Sequence, residues 1–137
     1  MENYRSDVVG SLLRPDYLKA ARKSYEAGEC SDADYKRIED RAVNEAIDLQ
    51  LKAGLDVISD GEMRRYAFYG HFIDSVEGFD KFGGWAIPFR DEQGNELVFK
   101  RPVAVSPLHR KRHMCAEEFA YLRARTDHPA KATLISA

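Results

Sequence analysis

The stretch from Ser31 to Glu62 constrains the fold more than any other. Ser31 and Asp34 open it as a helix cap, a capping-box variant. Ile38, Ala42, Val43, Ala46, Ile47 and Leu51 then recur on one helical face, and Gly54 closes the pattern. At 1.5 Å per residue such a helix is roughly 33 Å long and needs a broad partner, such as a sheet. LDVIS, residues 55–59, follows at once as an apolar strand. Helix, glycine, apolar strand is the rhythm of a parallel α/β fold. The strand runs straight into Asp60, Gly61 and Glu62, with Arg64 and Arg65 behind them.

The same grammar extends along the chain. DVVGSLL, residues 7–13, reads as a strand broken by a tight turn at Gly10 and Ser11. Pro15 suits the first turn of a helix carrying Leu18, Ala21 and Tyr25 and ending at Gly28. Residues 64–76, with Phe68, Phe72 and Ile73, suggest a further helix. AIPFRDEQGNELVFKRPVAV predicts a β-hairpin turning at Asp91 to Asn95, within an insertion over about 79–107. AEEFAYLRAR, 116–125, reads as a helix and KATLIS as a third strand of the parallel type. The expected class is therefore α/β, one unit with a hairpin insertion.

Three parallel strands cannot close a barrel, which needs about eight, and would leave an edge unpaired. The chain also stops at KATLISA without a polar tail. A barrel fragment is expected on both grounds; a short final strand that pairs normally is the alternative.

The 137 residues suffice for one domain with a core. With 21 basic and 23 acidic residues the net charge is −2, which gives no global reason to expect nucleic acid. No apolar run approaches the roughly 18 residues of a membrane span. The polar start MENYRSD lacks a signal-peptide core, and Cys30 and Cys115 are too few for a disulfide framework. A cytoplasmic protein is expected.

Three motifs could carry chemistry. In DGE, Asp60 and Glu62 lie just past a strand's carboxyl end, where parallel folds place their sites. A carboxylate there can hold an amine, ligate a metal or act as a base; a solvated turn with Asp60 as a cap is the plainer reading. In GSLLRP, backbone N–H groups and the Ser11 hydroxyl can cradle a small anion or simply cap the next helix. In HRKRHMC, His113 and Cys115 are metal-type ligands, but they are too few for zinc, and Arg110, Lys111 and Arg112 oppose a cation. A basic lead-in to the next helix explains that run. Trp85 could stack on a planar ring or serve as partly buried packing.

In order, VGSLLRP, the Gln50-x-x-x-Gly54 segment, LDVISDGEMRR, GW and EEFAYLRARTDHPAKATL resemble cobalamin-independent methionine synthase. The match is to the shorter relatives of its catalytic domain. The resemblance implies a (β/α)₈ TIM barrel of which this chain is the N-terminal portion. It implies methyl transfer from methyltetrahydrofolate to the thiol of homocysteine, with zinc binding the thiolate. Val9, Gly10, Ser11 and Glu62 match the residues that hold the amino acid, with Glu62 on its ammonium. Asp60 and Arg64 are expected to fix Glu62 by turn geometry and charge. The family's zinc ligands would lie beyond Ala137, so His113 and Cys115 do not inherit that role. No residue of this chain is expected to be catalytic. Transfer to another thiol, or a small binding module that self-associates through open strand edges, are the alternatives.

Overall fold

Ser31 caps α2 (Asp32–Lys52): its Oγ accepts the Asp34 N–H at 3.1 Å and donates to the Asp34 carboxylate at 2.6 Å. The computed structural model describes residues 5–135. It comprises two units, one of residues 5–68 and 115–135, the other of 69–114. In the first, α1 (Asp16–Glu26) packs on α2, and α4 (Ala116–Arg123) adds Leu122. Leu18, Ala42, Val43, Ala46, Ile47, Ile58, Met63 and Leu122 form its core. The periodic face of α2 is therefore the buried face. Burying a side chain such as Ile58 completely contributes about 1.5–3 kcal/mol.

Three extended segments lie side by side in this unit. The Ser6 carbonyl accepts from the N–H groups of Asp56 and Val57, and Leu12 N–H donates to the Gly61 carbonyl at 3.1 Å. On the other flank Ile58 N–H donates to Pro129 and Lys131 N–H to Ile58, forming a parallel bridge between Ile58 and Ala130. All three segments run in the same sense, with 55–62 in the middle.

The strands expected at 7–13, 55–59 and 131–136 do not form ladders among the described residues; the single bridge is all that registers. Ser136 lies outside the described residues. The reason is local. The Val8 carbonyl is taken by the Lys131 ammonium, Gly10 turns to φ +80°, and both backbone groups of Ser59 are taken by the Gln50 side chain. Each of these removes a group that a parallel ladder would need.

In the second unit, α3 (Gly70–Ser75) leads into β1 (Val76–Asp80), which pairs antiparallel with β4 (Val103–Arg110). Between them β2 (Ala86–Arg90) pairs with β3 (Glu96–Lys100), five residues against five, across a turn where Asp91 bonds Asn95. The β1–β4 pair was not anticipated. Its register shifts at Gly78, φ +96°, where a Cβ would meet the Pro107 carbonyl oxygen at 2.6 Å. The helix expected over 64–76 is confined to 70–75. Glu62 at φ +56° starts a run of turns that delays it. Trp85 is 82% exposed, which contradicts the expectation of partly buried packing. No helix among the described residues is long and apolar enough to cross a membrane.

Candidate functional site

Segment 55–62 ends in two consecutive left-handed residues, Gly61 at φ +66° and Glu62 at φ +56°. Glycine tolerates this conformation; for glutamate it is strained and persists only when its surroundings over-determine it. They do. Asp60 Oδ1 accepts the Glu62 N–H at 2.9 Å, and Arg14 Nη2 donates to the Glu62 carbonyl at 2.9 Å. An added Cβ on Gly61 would lie 3.0 Å from Ala46 Cβ and 3.2 Å from Leu12 Cδ1, so the turn is wedged against α2.

The Glu62 carboxylate is buried and engaged at both oxygens. Oε2 accepts from Ser11 Oγ at 2.5 Å. Oε1 accepts from Thr133 Oγ1 at 2.9 Å and pairs with Arg65 Nη1 at 3.4 Å. Burial alone would raise its pKa. The hydroxyls of Ser11 and Thr133, then the charges of Arg65 and Arg14, outweigh burial and hold it below the usual carboxylate value. The result is an ionised carboxylate at the meeting point of all three extended segments.

Of the residues expected at a site, Ser11, Asp60 and Glu62 come together here. Gly10 supplies the turn before Ser11, and Val9 is 92% exposed. Arg64 corrects the expectation: its guanidinium pairs with Asp40 on α2 and stacks over the Tyr121 ring at 4.4 Å. Arg65 takes the role instead, and its Nη2 also donates to the Thr133 carbonyl at 2.8 Å. Nothing in the sequence separates Arg65 from Arg64, and Thr133 and Arg14 carry no signal either, because their roles depend on where distant segments meet.

Cys115 sits just before α4 with Sγ 3.6 Å from the Thr133 carbonyl. Asp60, Arg65, Cys115, Glu118 and Lys131 line a cavity of ≈ 10 Å³, room for one water at most. Among the described residues no three His, Cys, Asp or Glu side chains converge as a metal would require. The groups around Glu62 are hydroxyls and guanidiniums, which do not fit zinc.

Over residues 5–135 the chain matches the family described as cobalamin-independent synthase, catalytic domain. It belongs to that family. The uncharacterised protein YxjG of Bacillus subtilis is 35% identical over 126 residues, 88% of this chain and 32% of YxjG. The 5-methyltetrahydropteroyltriglutamate–homocysteine methyltransferase of Mycobacterium bovis is 31% identical over 128 residues, 93% of this chain and 16% of that enzyme. A Listeria monocytogenes crystal structure, of a protein assigned as a vitamin-B12-independent methionine synthase, superposes with a TM-score of 0.65 at 26% identity. It covers 93% of this chain and 34% of that one. The α/β arrangement is thus similar to part of a B12-independent methionine synthase, a TIM-barrel enzyme. The chain spans about a third or less of the length of these relatives.

Proposed function

We propose that this chain is the N-terminal portion of a methionine-synthase-type barrel, with residues 69–114 inserted, and that it supplies the substrate anchor of a cytoplasmic methyltransferase. The reaction would carry a methyl group from a methyltetrahydrofolate-type donor to the thiol of homocysteine. One observation carries this reading: the ionised, buried Glu62 carboxylate held by Ser11, Thr133 and Arg65.

A carboxylate offers about four acceptor positions. Three are engaged here, which leaves one for the ammonium of an amino acid. A charge-assisted bond of that kind is strong and directional. Ser11 and the turn at Gly10 would orient the substrate's far end. Asp60 keeps the Glu62 backbone in place, and Arg65 helps to keep the carboxylate ionised. The zinc that activates the thiol in this reading would be held by residues outside this chain, so the 137 residues alone should not turn over. Self-association is also expected, since the paired strands of 69–114 leave apolar side chains such as Phe89, Val98 and Val105 exposed.

The test compares homocysteine with its deamino analogue in thermal unfolding of the chain. Homocysteine should stabilise by mass action, the analogue should not, and Glu62→Gln should erase the difference. Equal stabilisation by both ligands would sink the anchor role. Zinc-dependent thiol methylation by the isolated chain would overturn the portion reading, and a monodisperse monomer in light scattering at high concentration would exclude self-association.

A further inference from the structure

A groove of ≈ 250 Å³ runs along α1, lined among others by Arg14, Lys19, Arg22, Lys23, Glu26 and Tyr66. Four cations share it with one carboxylate. Arg22 is fixed in place: Nε donates to the Tyr35 hydroxyl at 2.9 Å, and Nη2 lies 3.4 Å from the Met63 carbonyl and 3.9 Å from Glu39. Lys19 pairs with Asp16, both side chains exposed. Such pairs exchange readily for a better partner. Arg14 is held through Nη2 by the Glu62 carbonyl, while its Nε is buried with no hydrogen-bond partner among the described residues. Burial, then the charge of Arg22, lowers the Arg14 pKa; Glu62 offsets this in part, and Arg65 adds to it.

A half-buried guanidinium with an unmet donor, crowded by another guanidinium, is costly without an anion nearby. Glu62 answers this only in part: its carboxylate is directed to Ser11, Thr133 and Arg65, and Arg14 meets its backbone carbonyl instead. We infer that the α1 groove binds a small, multiply charged anion, with Arg14 and Arg22 as its fixed end and Lys19 and Lys23 as its outer clamp. Carboxylates and phosphates share the required chemistry. Guanidiniums meet either through paired N–H groups, and lysines act as mobile point charges. This site is separate from the thiol anchor and stands or falls without it.

The test is calorimetric titration of the 137-residue chain with two probes, tripolyphosphate and a linear triglutamate peptide. One binding event per chain is expected with at least one probe, weakened when salt is raised. Lys19→Gln with Lys23→Gln should weaken it about tenfold. A charge-matched control on α2, Lys36→Gln with Arg37→Gln, should change it by less than about twofold. Binding of tripolyphosphate alone assigns the groove to phosphates. Binding of the peptide alone assigns it to carboxylate chains, and equal binding assigns it to charge alone. Absence of stoichiometric binding by wild type, or an equal loss in the control, would overturn the inference. Salt dependence of the wild type supplies a readout that needs no variant to fold.

Discussion

The side-chain amide of Gln50 bonds the backbone of Ser59 on both sides. Ser59 N–H donates to Oε1 at 2.9 Å, and Nε2 donates to the Ser59 carbonyl at 2.8 Å. Nε2 also reaches the Ala46 carbonyl at 2.9 Å, and the Gln50 side chain is buried. A helix side chain thus does for the middle segment what a neighbouring strand would otherwise do, one step before the Asp60–Glu62 turn.

Gln50→Met keeps the side chain's length and removes every one of those bonds. Two buried backbone groups lose their partners, at roughly 1–3 kcal/mol each. A loss of about 3 kcal/mol is expected, read as a lower urea midpoint at unchanged slope. A shift under about 0.5 kcal/mol would mean that water replaces the amide.

Gly61 and Gly54 separate two costs of adding a methyl group. Both are left-handed, at φ +66° and +73°. Around Gly54 nothing lies within 4 Å of an added Cβ, so Gly54→Ala should cost only the backbone strain, about 1–2 kcal/mol. Gly61→Ala adds a clash with Ala46 and Leu12, and should cost about 2–4 kcal/mol. Equal costs in urea denaturation would show that the turn yields freely.

Two carboxylates should shape the acid limb in opposite directions. Glu62 is held below its ordinary value of 4.5, so its contribution is present above that pH and is lost as pH falls through the folded value. Burial raises Glu39, with Tyr35, Arg64, Arg22 and Lys36 offsetting only part. Its contribution is present below 4.5 and is lost as pH rises through the folded value. Stability measured from pH 7 downward should therefore fall less steeply in Glu62→Gln and more steeply in Glu39→Gln. The same slope in both variants would contradict the assignment.

Adjacent arginines should differ at the anchor. Arg65→Gln removes a charge that lowers the Glu62 pKa and frees the Thr133 carbonyl, so the carboxyl should titrate higher by NMR. Arg64→Gln should leave that titration in place and instead loosen Asp40 and Tyr121. Identical titration curves in the two variants would return the role to Arg64.

The sequence made α2 legible because its information is local: one capping serine, one apolar face, one glycine stop. Family membership was legible for a related reason, since the order of short blocks survives where pairwise contacts cannot be seen. Ser11 and Glu62 followed from those blocks. The partners that hold the Glu62 carboxylate did not. Thr133 lies 71 positions away from Glu62, and no periodicity links them. Arg64 and Arg65 are chemically identical in the sequence; only the turn imposed by Gly61 and Glu62 decides which one faces the carboxylate. The ladders failed to appear for the opposite reason: an apolar run gives the right placement of a segment but cannot show that a side chain will claim its backbone groups first.

The bridge between Ile58 and Ala130 joins positions 72 apart, and that separation has a kinetic meaning. A ribosome exposes Ile58 long before its partner exists, so the first unit cannot close while the intervening chain is being made. Residues 69–114 form a contiguous unit whose ends are brought together by the pairing of Val76 with Arg110. If that unit folds first, it takes about two thirds of the intervening chain out of the loop that must close and lowers the entropic barrier accordingly. A unit that supplies neither Ser11, Arg65 nor Thr133 would then set how fast those groups can gather on Glu62.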